Sequence, residues 1–353
     1  MDSVFAKIPA LGDKIIREVD NQSLVRCKEV QKAWYNFINK EKIQWLRITQ
    51  KCIGDVKEFS TAWKKVLTKS PIDFVAQVAI ATQQWHTKYG TPSNISPIHV
   101  AACDGNLDLY QQMMVKLAGM NQIDIFGRLH PLFLASHIGH YDICKLIIAN
   151  MDDKNPARHD GVTPLYVAAQ YGHYEICKLI IANVDDKNPA RHDGITPLFM
   201  AAKRGHYEIC KLIIENVSDK NPVMHDGVTP LYIAAQNGHY EIFKLIFETL
   251  GNNNKNPATN SAHGGWTPLH VAAKNGHLDI CKIILEEVDD KNPVKDDGLT
   301  PLVMAANNGH WEVFHFICEI VLVKNPKTND EHYQLIHANT AQISTLYFRL
   351  DMD

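Results

Sequence analysis

The stretch GVTPLYVAAQYGHYEICKLI, residues 161–180, determines how the whole sequence is interpreted. It returns almost unchanged 33 residues later, as GITPLFMAAKRGHYEICKLI in residues 194–213. The proline near its start recurs along the chain at gaps of 34, 33, 33, 33, 38 and 33 residues. These prolines are Pro97, Pro131, Pro164, Pro197, Pro230, Pro268 and Pro301. A fixed period of this length predicts an array of stacked units rather than one closed core.

Each unit has the local signals of two short helices. Thr163 suits an N-cap, and the proline after it suits the first helical position. Gly172 can end the first helix in the left-handed conformation. Asn183 follows the second helix, where we expect a left-handed C-cap, and Asn150 and Asn216 occupy the matching positions. The unit therefore predicts a helix-turn-helix.

At these positions the sequence resembles the ankyrin repeat, over residues 91–321 and in seven units. The resemblance implies an all-α ankyrin-repeat solenoid, with helix-turn-helix repeats and β-turn fingers. It also implies protein–protein interaction and no cofactor. The histidine usual in the family after the TPL element stands only at His99 and His270, and we expect apolar or aromatic packing in its place elsewhere. The finger between repeats five and six is five residues longer than the others.

The repeated His, Glu and Cys residues could be chemistry or scaffold. Histidines recur nine residues after the repeat proline, at His140, His173, His206, His239, His277 and His310. Cysteines recur thirteen residues after it, at Cys144, Cys177, Cys210 and Cys281. Repeats stacked about 10 Å apart hold equivalent residues too far apart to share a zinc ion, whose ligand bonds are about 2 Å long. We therefore expect histidines that bond backbone between repeats, cysteines that are small buried hydrophobes, no metal and no catalytic residues.

The bulk composition excludes several classes of partner. The chain has 353 residues, of which 45% are apolar, and a net charge of −3 from 36 basic and 39 acidic residues. No block of like charge suggests nucleic-acid or membrane binding. Eight cysteines occur without a CxxC pair, which favours free thiols in a reducing compartment. We expect a cytoplasmic protein, with the nucleus as a second compartment.

The segment before the array carries its own pattern. SLVRCKEVQKAW, residues 23–34, predicts a helix with one broad apolar face. Periodicity alone is equally consistent with a small helical cap for the array. The order of IP at 8–9, SLVRC at 23–27, VQKAW at 30–34 and WLRI at 45–48 resembles an F-box over about residues 4–50, although Ile8 replaces the usual leucine.

The F-box resemblance implies docking on the Skp-type adaptor of an SCF, or cullin-type, ubiquitin ligase. By that resemblance the adaptor-facing residues are Ile8, Pro9, Leu24, Val30 and Trp34. The predicted domains are an F-box-like domain at 1–50, a helical linker at 51–90, seven ankyrin repeats at 91–321 and a C-terminal capping segment at 322–353. The expected function is a non-enzymatic substrate receptor in a Skp-type adaptor and cullin complex. The alternative is an interaction scaffold without a ubiquitin role, in a eukaryote or as an effector of an intracellular bacterium.

The expected target-binding residues are those that vary while the scaffold repeats. The two positions before the glycine of each first helix vary most, and repeat six adds Trp266. The predicted set is Tyr171, Lys203, Arg204, Gln236, Asn237, Trp266, Lys274 and Asn275. Tyr171, Arg204 and Trp266 are expected to be anchors, because these residue types dominate interface energies. Lys203 and Lys274 favour an acidic protein substrate.

Overall fold

The computed structural model describes residues 72–89, 97–117, 130–250, 255–259 and 264–324. Within these ranges the chain forms fifteen α-helices and no strand, which confirms the all-α prediction. The helices are α1 Ile72–Tyr89, α2 Pro97–Asp104, α3 Leu107–Leu117, α4 Pro131–Ile138, α5 Tyr141–Ala149, α6 Pro164–Tyr171, α7 Tyr174–Ile181, α8 Pro197–Arg204, α9 Tyr207–Asn216, α10 Pro230–Asn237, α11 Tyr240–Thr249, α12 Pro268–Asn275, α13 Leu278–Glu287, α14 Pro301–Asn307 and α15 Trp311–Lys324. From α2 onward they form seven pairs, one for each repeat proline.

The chain divides into two compact units, residues 1–135 and 136–353. In the described part of the first unit, α1 packs against α2, and α2 packs against α3. In the second unit, first helices pack beside first helices and second helices beside second helices. The helix α1 lies within the segment 51–90, for which the helical linker stays a prediction. The helix α15 continues to Lys324, past the predicted end of the array at residue 321.

Threonine and glycine set the limits of the first helices. In α6 the Thr163 side chain accepts a hydrogen bond from the Tyr166 amide at 3.2 Å, and Pro164 takes the first turn. The same threonine cap begins α8, α10, α12 and α14. Gly172 ends α6 with a φ of 82°, as the sequence predicts. Repeats three to seven therefore begin their first helices with one local device.

The left-handed asparagine caps predicted after the second helices are wrong. Asn150 has a φ of −112°, and no residue other than glycine has a positive φ in the described ranges. The asparagine side chains cap the helices instead. Asn150, Asn183 and Asn216 each donate from Nδ2 to a carbonyl four residues back, at 2.8 Å. A side-chain amide that satisfies a terminal carbonyl removes the need for the left-handed turn.

A recurring Lys-Asn-Pro sequence joins the second helices of repeats two to six to the repeat that follows. Lys154 donates to the Ile148 carbonyl at 2.6 Å, at the end of α5. The Asn155 Oδ1 accepts the Leu165 amide at 2.9 Å, at the start of α6. Asn188, Asn221, Asn256 and Asn292 make the same bond to Leu198, Leu231, Leu269 and Leu302. These side chains close the connections and so fix the position of each first helix.

The recurring Gly-His dipeptide forms a contact between neighbouring repeats. The His173 Nε2 donates to the His137 carbonyl of the preceding repeat at 3.0 Å, and the His206 Nε2 donates to the Gln170 carbonyl at 3.3 Å. The His173 ring lies against Gly139, where a Cβ would stand 2.6 Å from the ring. His239 and His277 repeat this arrangement on Lys203 and Gln236. The prediction that the repeated histidines bond backbone between repeats is therefore confirmed for His173, His206, His239 and His277.

Gly172→Ala tests this contact. The alanine would adopt a φ of 82° and place its Cβ 2.7 Å from the His206 ring, which its own hydrogen bond holds in place. The matched control is Gly309→Ala, with a φ of 73° but no described atom within 4 Å. We expect losses in the free energy of unfolding of about 3 kcal/mol or more for Gly172→Ala and about 1 kcal/mol for Gly309→Ala, measured by urea denaturation. Equal losses would show that the His206 ring moves aside at little cost.

Candidate binding surface

The repeated cysteines lie in the core of the array. Cys144, Cys177, Cys210 and Cys281 have no exposed surface. Burial raises the pKa of Cys144 and of Cys281 to about 12, because a thiolate would lose its hydration there. These thiols are therefore neither nucleophiles nor ready metal ligands at neutral pH. Within the described ranges, no three His, Cys, Asp or Glu side chains gather into a group that could hold a metal ion.

The His-Asp pairs on the fingers are also accounted for by turn formation. The Asp160 Oδ1 accepts the Val162 amide at 3.2 Å, and the Arg158 amide donates to the Val162 carbonyl at 2.8 Å. Asp193 and Asp226 accept the equivalent amides at 3.2 and 3.0 Å. These carboxylates close the fingers by accepting backbone amides. Burial of the cysteines and turn formation by the aspartates therefore explain why these residue types recur in each repeat.

The exposed residues that differ from one repeat to the next lie at the C-terminal ends of the first helices. Tyr171, Lys203, Arg204 and Gln236 are exposed. The Tyr171 ring packs edge-on against the His137 ring, with centroids 4.2 Å apart, and is still 47% exposed. The scaffold fixes the backbone there, because the carbonyls of Lys203 and Gln236 accept the interrepeat histidine bonds. At Lys203 and Gln236 the backbone therefore joins neighbouring repeats, while the side chain faces solvent.

Two of the predicted binding residues are held by the scaffold. Asn237 donates from Nδ2 to the Lys203 carbonyl at 3.0 Å, and Asn275 donates to the Gln236 carbonyl at 2.7 Å. Both side chains are exposed, but one amide proton of each is already used between repeats. They stabilise the stack beside the histidines and have less freedom to adapt to a partner.

Trp266 is also engaged within the chain. The Lys274 and Lys295 ammonium groups lie 5.1 and 4.7 Å from the centroid of its ring, within range of cation–π attraction. Lys295 is buried and paired with Asp297. The Thr259 amide donates to the Trp266 carbonyl at 2.7 Å, and this bond closes the longer finger. The contacts of Trp266 and Lys274 therefore stabilise repeat six itself.

At the ends of the first helices, the predicted set left out one exposed apolar residue, Ile138. Ile138 ends α4 directly before Gly139, at the position that Tyr171 holds in the next repeat, and it is 41% exposed. The alignment of the repeats already indicated Ile138, because Ile138 and Tyr171 both stand directly before the glycine that follows the first helix. We define the first-helix surface as Ile138, Tyr171, Lys203, Arg204 and Gln236.

The adaptor-facing residues inferred from the F-box resemblance lie outside the described residues. They are Ile8, Pro9, Leu24, Val30 and Trp34. The capping segment predicted at 322–353 also lies almost wholly outside them. These assignments stay predictions.

The paired helices, the fingers closed by turns and the histidine bonds between neighbouring repeats define a stacked-repeat protein. The family model for ankyrin repeats matches in three copies, at residues 98–189, 180–257 and 245–330. The chain belongs to the ankyrin-repeat family, and the matched residues exclude the F-box-like segment. Ankyrin repeats form scaffolds for protein–protein interaction. A search of curated proteins found no match to this sequence.

The buried histidine at position 270 makes the stability of the array depend on pH. His270 is fully buried, accepts from Thr267 at Nδ1 and donates from Nε2 to the Leu299 carbonyl at 3.3 Å. Burial lowers the pKa of His270 to about 4, so the ring is neutral in the folded protein at neutral pH. Burial also lowers the pKa of His130 to about 4.

We expect the array to lose stability as the pH falls from 6.5 to 4. In that window the unfolded chain, with a histidine pKa near 6.5, binds protons that folded His270 and His130 do not bind, so the unfolded state gains. His270 alone contributes up to about 3 kcal/mol to this loss. His270→Phe, which copies Phe199 of repeat four, should flatten the profile of unfolding free energy against pH. His159→Gln, at an exposed finger tip, controls for the loss of one histidine. A His270→Phe profile parallel to wild type would contradict a buried, neutral His270.

Proposed function

We propose that the protein captures a partner protein on the first-helix surface and does no chemistry itself. The observation that carries this proposal is the contrast between a scaffold repeated in each unit and exposed side chains that are not repeated. Tyr171 and Arg204 are residue types that contribute strongly to interfaces, and neither is required by the helix pair in which it lies. The adjacent cations Lys203 and Arg204 favour an acidic partner.

The absence of a repeated catalytic geometry supports a binding role. In the described array the His-Asp pairs close turns, and the repeated cysteines have raised pKa values and no access to solvent. No helix in the described part of the chain has the length and hydropathy of a membrane span. What distinguishes one repeat from the next is therefore its surface, and the proposal places the function there.

Substitutions on the first-helix surface should weaken capture of the partner. The partner would first be identified by co-purification from a cytosolic extract and then purified. We expect Tyr171→Ala combined with Arg204→Ala to lower its affinity by about thirtyfold or more, the equivalent of about 2 kcal/mol. Binding would be measured by calorimetry, and folding by circular dichroism.

A matched control lies on the second helices. Lys178 and Lys211 are exposed on α7 and α9, one on each of the two repeats that carry Tyr171 and Arg204. Lys178→Ala combined with Lys211→Ala should leave the affinity unchanged. If the control pair weakens binding as much as the Tyr171 and Arg204 pair, the binding surface is on the second helices and the proposal is wrong.

We further propose that this capture serves an SCF-type ubiquitin ligase, with the segment 1–50 as an F-box that docks a Skp-type adaptor. The support is the ordered set of Ile8-Pro9, Leu24, Val30 and Trp34, which resembles the F-box. The described helix α1, Ile72–Tyr89, follows this segment in the sequence and precedes the array, and in this proposal it acts as a spacer. A receptor of this kind raises the local concentration of the target near the ubiquitin-charged enzyme.

Adaptor binding separates this role from that of a plain scaffold. We expect purified full-length protein to bind a Skp-type adaptor with a Kd below about 10 µM. Leu24→Ala combined with Val30→Ala should weaken that binding while leaving partner capture intact. Tyr171→Ala should do the reverse. Circular dichroism would show whether Leu24→Ala and Val30→Ala alter the helical content. If the wild-type protein shows no adaptor binding, the ligase role fails and the interaction scaffold without a ubiquitin role takes its place.

A further inference from the structure

The first-helix surface changes its chemistry in order along the stack. Repeats two and three present the apolar side chains of Ile138 and Tyr171, which are 41% and 47% exposed. Repeat four presents Lys203 and Arg204 at the end of α8. Repeat five presents the amide of Gln236. A partner that follows the stack therefore meets apolar, cationic and neutral polar groups in sequence.

The two cations of repeat four are not neutralised by the fold. Among the described residues, neither Lys203 nor Arg204 forms an ion pair or a side-chain hydrogen bond. The first helices α6 and α10, on either side, end without any basic residue. Cations do favour a helix C-terminus, but these neighbours form the same helix without them. The scaffold therefore does not account for the pair.

The other cation of a first-helix end differs in this respect. Lys274, in repeat six, has its ammonium group over the Trp266 ring. Its charge is engaged by a neighbouring side chain, whereas the charges of repeat four face solvent. The cationic part of the surface is thus limited to one repeat, and it lies directly beside the apolar part.

The spacing of the stack sets a spacing for the partner. Neighbouring repeats pack at the helix-packing distance of about 10 Å. A peptide in the extended polyproline II conformation advances about 3.1 Å for each residue and makes one turn in about three residues, so side chains three residues apart point to the same side. One repeat therefore corresponds to about three residues of an extended partner of this kind.

We infer that the first-helix surface binds an extended peptide with two apolar side chains about three residues apart and an acidic pair about three residues beyond them. Ile138 and Tyr171 contact the two apolar side chains, and Lys203 and Arg204 pair with the acidic ones. The edge-on contact with His137 holds the Tyr171 ring in place, which lowers the entropy lost on binding. The inference rests on the proposed function, since it specifies the partner chemistry of the same surface. The spacing is the same for either direction of the peptide.

Peptide selection on the full-length protein tests this inference. Random peptides long enough to span three repeats, about ten residues, would be displayed and selected against the protein. We expect enrichment of the apolar and acidic pattern at the stated spacing. A selected peptide would then be synthesised, together with a variant whose acidic pair follows the second apolar residue directly. The shifted variant should bind at least about tenfold more weakly in fluorescence anisotropy.

Charge-reversal substitutions in the protein test the same spacing of apolar and acidic residues. Lys203→Glu combined with Arg204→Glu should weaken the selected peptide by at least about tenfold, and a peptide with a lysine pair in place of the acidic pair should regain affinity. The control variant, Lys178→Glu combined with Lys211→Glu, makes the same charge change on exposed positions of α7 and α9 and should leave the affinity within about twofold. Circular dichroism would verify the helical content of both variants.

The outcomes distinguish this inference from the proposed function. If selected peptides depend on Tyr171 and Arg204 but carry another spacing, or bind equally when the acidic pair is shifted, the inferred register is wrong and the binding surface stands. If selected peptides are insensitive to Tyr171→Ala and to the Lys203 and Arg204 exchange, both are wrong. If no surface-dependent peptide is enriched while the purified partner protein still responds to the surface substitutions, only the inference is overturned.

Discussion

The hydrogen bond from the histidine of one repeat to a carbonyl of the preceding repeat is the contact on which the stack of repeats two to six depends. It reaches across the interface between neighbouring repeats, and a glycine with a positive φ makes room for the ring. In a linear array each repeat is stabilised mainly by its neighbours, so a contact present at these four interfaces contributes repeatedly to the whole. The carbonyls that accept these bonds belong to His137, Gln170, Lys203 and Gln236. At His137, Lys203 and Gln236 the scaffold thus fixes the backbone while the side chain is exposed, and this combination allows the surface to change without a change of fold.

Much of the fold could be predicted because it rests on local rules. The Thr163 cap and the Gly172 termination depend on residues within one helix of each other, and both were predictable from the pattern of residue types. The asparagine caps show the limit of such rules. Asn150 was compatible with two ways of satisfying a helix end, and the choice between a left-handed backbone and a side-chain bond depends on the packing of the chain that follows.

The candidate site was predictable in outline but not in detail. Variation between repeats correctly indicated exposed positions such as Tyr171 and Arg204. It did not indicate that Trp266 would be contacted by Lys295, a residue 29 positions later, or that Asn237 would bond the carbonyl of Lys203, 34 positions earlier. These contacts join different repeats, and a comparison of each repeat with the next does not include the geometry between them. Ile138 is a different case, because the alignment of the repeats places it directly before a glycine, as it does Tyr171, and the comparison could have included it.

The histidine contact also gives the array a direction. The ring comes from the later repeat and the glycine and carbonyl from the earlier one, so the two sides of every interface are different surfaces. Such a heterologous contact relates neighbours by a step rather than by a closed rotation, and it contains no feature that limits how many steps follow. The number of repeats is therefore set by the length of the polypeptide and by what lies at its two ends. A unit of 33 residues can in principle be gained or lost as a block, because the surfaces it exposes on one side are those it covers on the other.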